Sequence, residues 1–265
     1  MLVRDRPGLE VLLLRRTPTA VFGPGATVFP GGAVDPGDAD VASRVRGLDD
    51  GEASAEQGLA MGGLAFRVAA VRECFEEAGV LLARDRDGHS AAGEASWRDA
   101  LNAGHATFAH MLEQADVHID ARDLMLFAHW LTPLGAPRRY DTWFFIARAP
   151  EDQEPLHDDV ELVESGWLTP LQALSAYRRG EIELIFPTLR SLLALARFET
   201  TRELFDALEA VPHDGAGRPL VVSEGSGERV VLPGDELHDV YASWTIPLPD
   251  FDWRVEAELL GEDLR

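Results

Sequence analysis

The sequence predicts an α+β protein with helices packed on a mixed sheet. Three observations carry that reading. Short apolar and aromatic runs are separated by glycine- and proline-rich turns, and the stretches between several of them have helical periodicity. The chain is also long and apolar enough, at 265 residues and 46% hydrophobic content, to bury a full core.

Met1-Leu2-Val3 and Glu10 to Arg15 flank Arg6-Pro7-Gly8, a turn signal between apolar runs, and predict a hairpin. Residues 23 to 37 are dense in glycine and proline, which means tight turns rather than helix. From Asp38 to about Gly63 the chain is polar, small and acidic without helical periodicity, and reads as a surface insertion. A helix follows from about Leu64 to Ala83, with Val71, Cys74, Phe75 and Ala78 as its apolar stripe. Residues 84 to 96 read as loop and Trp97 to Ala115 as one helix.

Leu124 to Thr132 and Thr142 to Arg148 are aromatic-rich and predict core strands on either side of a turn at Pro133 to Pro137. A short strand is expected at Ser165 to Leu168. Thr169 as N-cap and Pro170 at the first helical position then open a helix to about Arg179. Pro187 to Ala196 and Thr201 to Ala210 predict two more helices. In the tail, Leu220-Val221-Val222 and Arg229 to Leu232 predict a hairpin around Gly225-Ser226-Gly227. The expected organisation is one domain over residues 1–200, with insertions at about 39–63 and about 84–120, and an extension, 201–265, packed on it.

Composition excludes several function classes. No apolar run approaches the length of a bilayer span, and no basic start leads into an apolar segment with a cleavage site, so neither a membrane anchor nor a secretory signal is expected. A single cysteine, Cys74, excludes an internal disulfide and fits a reducing compartment, so a cytoplasmic location is expected. Its place on the apolar stripe favours a buried structural thiol over a nucleophile. The net charge of −22, from 46 acidic and 24 basic residues, argues against nucleic acid and anionic membranes as partners. The acidic residues are spread along the chain, which predicts stability that rises as salt screens their repulsion.

The nonapeptide Arg72 to Val80 holds the densest chemical signal. On a helix Glu73, Glu76 and Glu77 stand at i, i+3 and i+4, so their carboxylates emerge on one face within reach of a shared ion. Arg72, four residues before Glu76, can hold one carboxylate in place, and Gly79 can end the helix in a left-handed cap. Negative side chains near a helix C-terminus oppose the macrodipole as well as each other. A cation is the simplest compensation; a solvated acidic face is the alternative.

Read with Phe29-Pro30-Gly31-Gly32-Ala33-Val34-Asp35-Pro36-Gly37-Asp38, this segment resembles the Nudix box, G-x5-E-x7-R-E-U-x-E-E-x-G-U with U aliphatic. Gly32 and Asp38 have the required spacing, although Asp38 stands where the family has glutamate, and Cys74 occupies an aliphatic position. About 26 residues are inserted between Asp38 and Arg72 relative to that pattern. Such a split box is similar to the branch that includes peroxisomal acyl-coenzyme A diphosphatases and their bacterial relatives. The likeness covers about residues 9 to 200, and residues 201–265 rest on no motif.

The resemblance implies a Nudix fold, an α/β/α sandwich around a mixed sheet, and metal-dependent hydrolysis of a nucleoside diphosphate linked to another group. It implies Mg²⁺ or Mn²⁺ held by Glu73, Glu76, Glu77 and the Gly31 carbonyl, with Arg72 orienting a ligand and Gly31 and Gly32 letting the main chain approach metals and phosphates. Glu161 is the favoured later acid near the metals. Arg138 and Arg139, in a segment resembling R-R-F-D-T of the split-box branch, and Arg16, closing an early strand, are candidates for phosphate contacts. The expected partner is a small nucleotide conjugate, coenzyme A or acyl-coenzyme A, and the expected assembly a homodimer, with residues 39 to 63 as a lid or a dimer contact. An ADP-sugar, dinucleotide or nucleotide pyrophosphohydrolase is the alternative enzyme. A degenerate nucleotide-binding module is the alternative of another class, disfavoured because all three glutamates are present.

Overall fold

The computed structural model describes residues 1–20, 23–131, 140–156, 162–210, 220–224 and 227–231. Strands β1 (Leu2–Asp5) and β2 (Leu9–Arg16) form the expected antiparallel hairpin, with Val3 opposite Val11. β3 (Thr27–Val28) pairs with the end of β2, so the glycine-rich turn leaves directly from the sheet. A 3₁₀ segment, Pro36–Arg44, leads to β4 (Val45–Arg46), α1 (Asp50–Gln57), α2 (Gly63–Ala78), α3 (Ala95–Asn102), α4 (Phe108–Ala115) and β5 (Ile119–Asp120). β6 (Met125–Leu131), β7 (Asp141–Arg148) and β8 (Leu162–Leu168) are followed by α5 (Pro170–Arg178), α6 (Phe186–Leu195) and α7 (Thr201–Glu209). The tail hairpin is β9 (Leu220–Glu224) with β10 (Gly227–Val231), antiparallel as expected.

The main sheet is mixed. β1 runs antiparallel to β2 and parallel to β7, β7 antiparallel to β6, and β8 antiparallel to β2. Alternation along β2 explains the layers. Leu12 and Leu14 enter one apolar cluster with Val68, Val71 and Phe75 of α2 and Leu112 of α4. Leu9, Val11 and Leu13 enter the other, with Leu174, Leu192, Leu195, Leu204 and Phe205 of α5, α6 and α7. A sheet buried on both faces in this way is the centre of an α/β/α sandwich. Truncating a fully buried leucine such as Leu12 to alanine would cost about 2–5 kcal/mol. Among the described residues no helix is long and apolar enough to cross a membrane.

The segment after Asp38 carries a helix: α1 lies in it, with Asp49 and Glu52 forming a capping box and Ala53, Ser54 and Gln57 buried. Two expectations need correction. The α2 helix ends at Ala78 rather than Ala83, because Gly79 takes the left-handed conformation and its N–H bonds to Phe75 O. The single helix expected over Trp97 to Ala115 is two, broken at Gly104 with φ 68° and restarted by Thr107, whose hydroxyl accepts from the His110 N–H.

Candidate active site

The site is built on α2, which has no side-chain cap of its own at its first turn. The neighbouring helix α1 supplies one. Asp50 accepts from the Gly62 N–H at 2.9 Å and the Leu64 N–H at 3.0 Å, and Ser54 Oγ accepts from Gly63 N–H at 2.9 Å. These are donors that a helix start leaves without intrahelical partners. Helix α3 serves the other end. Arg98 donates from Nε to Glu76 O at 2.8 Å and from Nη2 to Glu77 O at 2.6 Å, meeting carbonyls and the negative pole of the dipole together. Both ends of the acid-bearing helix are thus held by neighbouring helices, α1 and α3.

Arg72 joins the two halves of the interrupted motif. Its Nε and Nη2 donate to the two carboxylate oxygens of buried Asp38, at 2.8 and 3.1 Å, and Nη2 also donates to Ala33 O at 2.8 Å. Its Nη1 donates to Glu73 at 2.8 Å and to Glu76 at 2.9 Å. Asp38 also accepts from the Asp35 N–H at 2.7 Å, which closes the turn around it. The shorter acid at position 38 therefore reaches its partner. Glu77 turns toward the glycine loop and accepts from Gly31 N–H at 2.7 Å. A Cβ at Gly32 would stand 2.4 Å from the Glu73 carboxylate and would push it from its place on Arg72.

Electrostatics follow from this crowding. Burial pushes the Glu73 carboxyl up to about 7 against the pull of Arg72, and Glu76 and Asp35 add to the rise. Glu76 is raised too, again by burial first, with Asp35 and Asp38 adding to it. Burial also works against the charge of Arg72, but the Asp38 hydrogen bond and the charges of Glu73, Asp38 and Glu76 outweigh it and raise its pKa. Among the described residues, the trio of ligand-type side chains whose donor atoms lie within 4.8 Å of one another is Asp85, Asp87 and His89, on a turn stitched by Asp85 to the Asp87 and His89 N–H groups. The box glutamates instead divide between Arg72 and Gly31.

A divalent cation fits the residues present. The donor set is all oxygen, which suits a hard ion, and two acids with raised pKa flank one guanidinium nitrogen. Beside them opens a cleft of about 560 Å³ whose lining includes Gly31, Gly32, Arg16, Phe66, Ala70, Tyr140 and Trp143. Of the residues expected from sequence, Arg72, Glu73, Glu76, Glu77, Gly31 and Gly32 are brought together, and Arg16 faces the adjoining cleft. Arg138, Arg139 and Glu161 lie outside the described residues. The roles of Asp50, Ser54 and Arg98 emerge only in the folded chain. The Asp49-x-x-Glu52 pattern could have revealed α1, but no local pattern marks Arg98.

Comparison with known proteins agrees with this geometry. A family model described as the NUDT19 Nudix domain matches residues 5–195. The chain is 31% identical to the acyl-coenzyme A diphosphatase NUDT19 of Homo sapiens over 274 residues, 87% of this chain and 72% of that protein. It is 29% identical to the Gallus gallus protein of the same name, over 86% and 72%. Among solved structures, a NUDIX hydrolase from Alicyclobacillus acidocaldarius is 29% identical with a TM-score of 0.68, over 77% of this chain and 92% of that one.

Proposed function

This chain belongs to the Nudix hydrolase family as a pyrophosphohydrolase with a NUDT19-type Nudix domain, and from that premise we propose that its substrate is coenzyme A or an acyl-coenzyme A, cleaved with Mg²⁺ or Mn²⁺. The observation that carries the reading is the Arg72 hub, which draws Glu73, Glu76 and the first half of the box into one cluster across the insertion. Coenzyme A enters from the names of the relatives that match most of the chain.

Glu73, Glu76 and Glu77, with the Gly31 carbonyl, would hold the metal. When bound, it supplies charge neutralisation on the phosphate oxygens and a more acidic attacking water. The chain's own residues do the rest. Arg72 fixes the rotamers of Glu73 and Glu76, so their oxygens meet the substrate already oriented. Gly31 and Gly32 admit the pyrophosphate close to the main chain. Arg16, Arg138 and Arg139 are assigned to phosphate contacts and Glu161 to the water's proton. The support for Arg139 is its neighbour Tyr140, which lines the cleft; for Glu161 it is Leu162, which pairs with Arg16 across β8 and β2. Water adds to one phosphorus, the bridging P–O bond breaks, and the products are adenosine 3′,5′-bisphosphate and an (acyl-)4′-phosphopantetheine.

The single buried cysteine supports a cytoplasmic location. Incubating the protein with coenzyme A, acetyl-coenzyme A, ADP-ribose and a dinucleoside polyphosphate, with Mg²⁺, Mn²⁺ or chelator, tests the substrate. Metal-dependent release of adenosine 3′,5′-bisphosphate from the coenzyme A compounds, faster than any release from the others, is expected. Preference for ADP-ribose or the dinucleotide would replace this substrate with the alternative one.

A further inference from the structure

On α2, residues 66, 70, 73 and 77 share one face. The stripe therefore changes character along its length: Phe66 and Ala70 line the cleft, whereas Glu73 and Glu77 lie against Gly32 and Gly31 in its wall. Across from Phe66, Trp143 of β7 meets it edge to face, with ring centroids 6.3 Å apart at 67°. Trp143 is itself stacked on His129 at 3.7 Å and 5°, and His129 is paired with Asp141 at the cleft lining, Nε2 to Oδ1 at 2.5 Å. Trp143 thus has one face covered and Phe66 turned against it, so the pair forms a wall rather than an open platform for a base.

We propose that this cleft receives the pantetheine arm of the substrate, with the gem-dimethyl pantoate unit resting against the wall made by Phe66, Ala70 and Trp143, while the nucleotide half leaves the carboxylates in another direction. The inference rests on the coenzyme A reading above. Two arguments choose this occupant. The described lining is mostly apolar, its basic side chain being Arg16 and its acidic one Asp141, which suits a largely uncharged arm. Length agrees: at 1.5 Å rise per residue, Phe66 lies about 10 Å along the helix from Glu73, a span the pantoate and the first amide fill. The thioester then lies past Phe66, so the slot reads what all coenzyme A compounds share and is indifferent to acyl length.

Inhibition of coenzyme A hydrolysis by each half of the molecule tests this. Ala70→Leu, which fills the slot, should weaken inhibition by 4′-phosphopantetheine about tenfold, or roughly 1.4 kcal/mol, and leave that by adenosine 3′,5′-bisphosphate within about twofold. KM should rise by a common factor for coenzyme A and for acyl esters of any length. Phe66→Ala, which removes the wall without crowding, should weaken 4′-phosphopantetheine in the same direction and serves if the leucine variant does not fold. The reverse pattern, with the bisphosphate alone weakened, would place the nucleotide half in the slot and overturn the proposal, as would unchanged inhibition by both. Should the wild-type protein hydrolyse no coenzyme A compound, the underlying substrate reading fails instead, an outcome visible before any variant is made.

Discussion

Arg72 and Asp38 meet through two hydrogen bonds, Nε to Oδ1 at 2.8 Å and Nη2 to Oδ2 at 3.1 Å, although they stand 34 positions apart in the chain. The pair is buried and reassembles a motif that the sequence interrupts. Asp38 Oδ2 also takes the Asp35 N–H. In Asp38→Asn, whichever way the amide turns, a donor would face a donor, and the buried Arg72 would lose its strongest partner. Breaking one side of a buried pair costs about 3 kcal/mol. Chemical denaturation should show that loss, and Mn²⁺ should bind at least about tenfold more weakly because Glu73 and Glu76 lose their fixed support. An unchanged denaturation midpoint would mean that Asp38 does not hold the hub.

The capping of α2 by Asp50 gives a pH signature. The Gly62 hydrogen bond, then that of Leu64, holds the Asp50 carboxyl below its usual value, so folding favours its ionised form. The stabilisation is therefore fully present above the unfolded pKa, about 3.9, and is lost as pH falls through the lower folded value. Asp50→Ala should cost about 1 kcal/mol at pH 7, a typical cap loss, with the gap to wild type narrowing below about pH 4. Urea titrations of both proteins between pH 3 and 7 read this directly; a gap that is constant with pH would remove the charged cap.

Cys74 lies on the buried face of α2, where burial pushes its thiol up to about 12. Alkylation by iodoacetamide at pH 8 should therefore be slow in the native protein and rapid in urea, because the thiolate is the reacting form. Mass spectrometry after timed quenching distinguishes the two. Rapid native labelling would show that the helix opens far more readily than its packing implies.

Much of this molecule could be read from its residues where the signal is local. The β1–β2 hairpin, the Thr169–Pro170 helix start and the tail hairpin follow from turn and cap chemistry within a few positions. The grouping of Arg72, Glu73, Glu76 and Glu77 follows from helical spacing. What escaped is what depends on neighbours distant in the chain. The small residues Ala53 and Ser54 look like loop until they are packed on α2, and Arg98 looks like a surface charge until α3 brings it to the Glu76 and Glu77 carbonyls. The division of the glutamates between Arg72 and Gly31 likewise depends on the folded turn.

We place metal-dependent pyrophosphate hydrolysis at the cluster around Arg72. The most direct measurement compares turnover of an acyl-coenzyme A by wild type and Glu76→Gln in saturating Mg²⁺, with circular dichroism to confirm an intact fold. A loss of kcat on the order of 10²-fold or more is expected in the variant, since a neutral amide is a far poorer ligand for a hard cation. Near-normal turnover in a folded Glu76→Gln protein would contradict it.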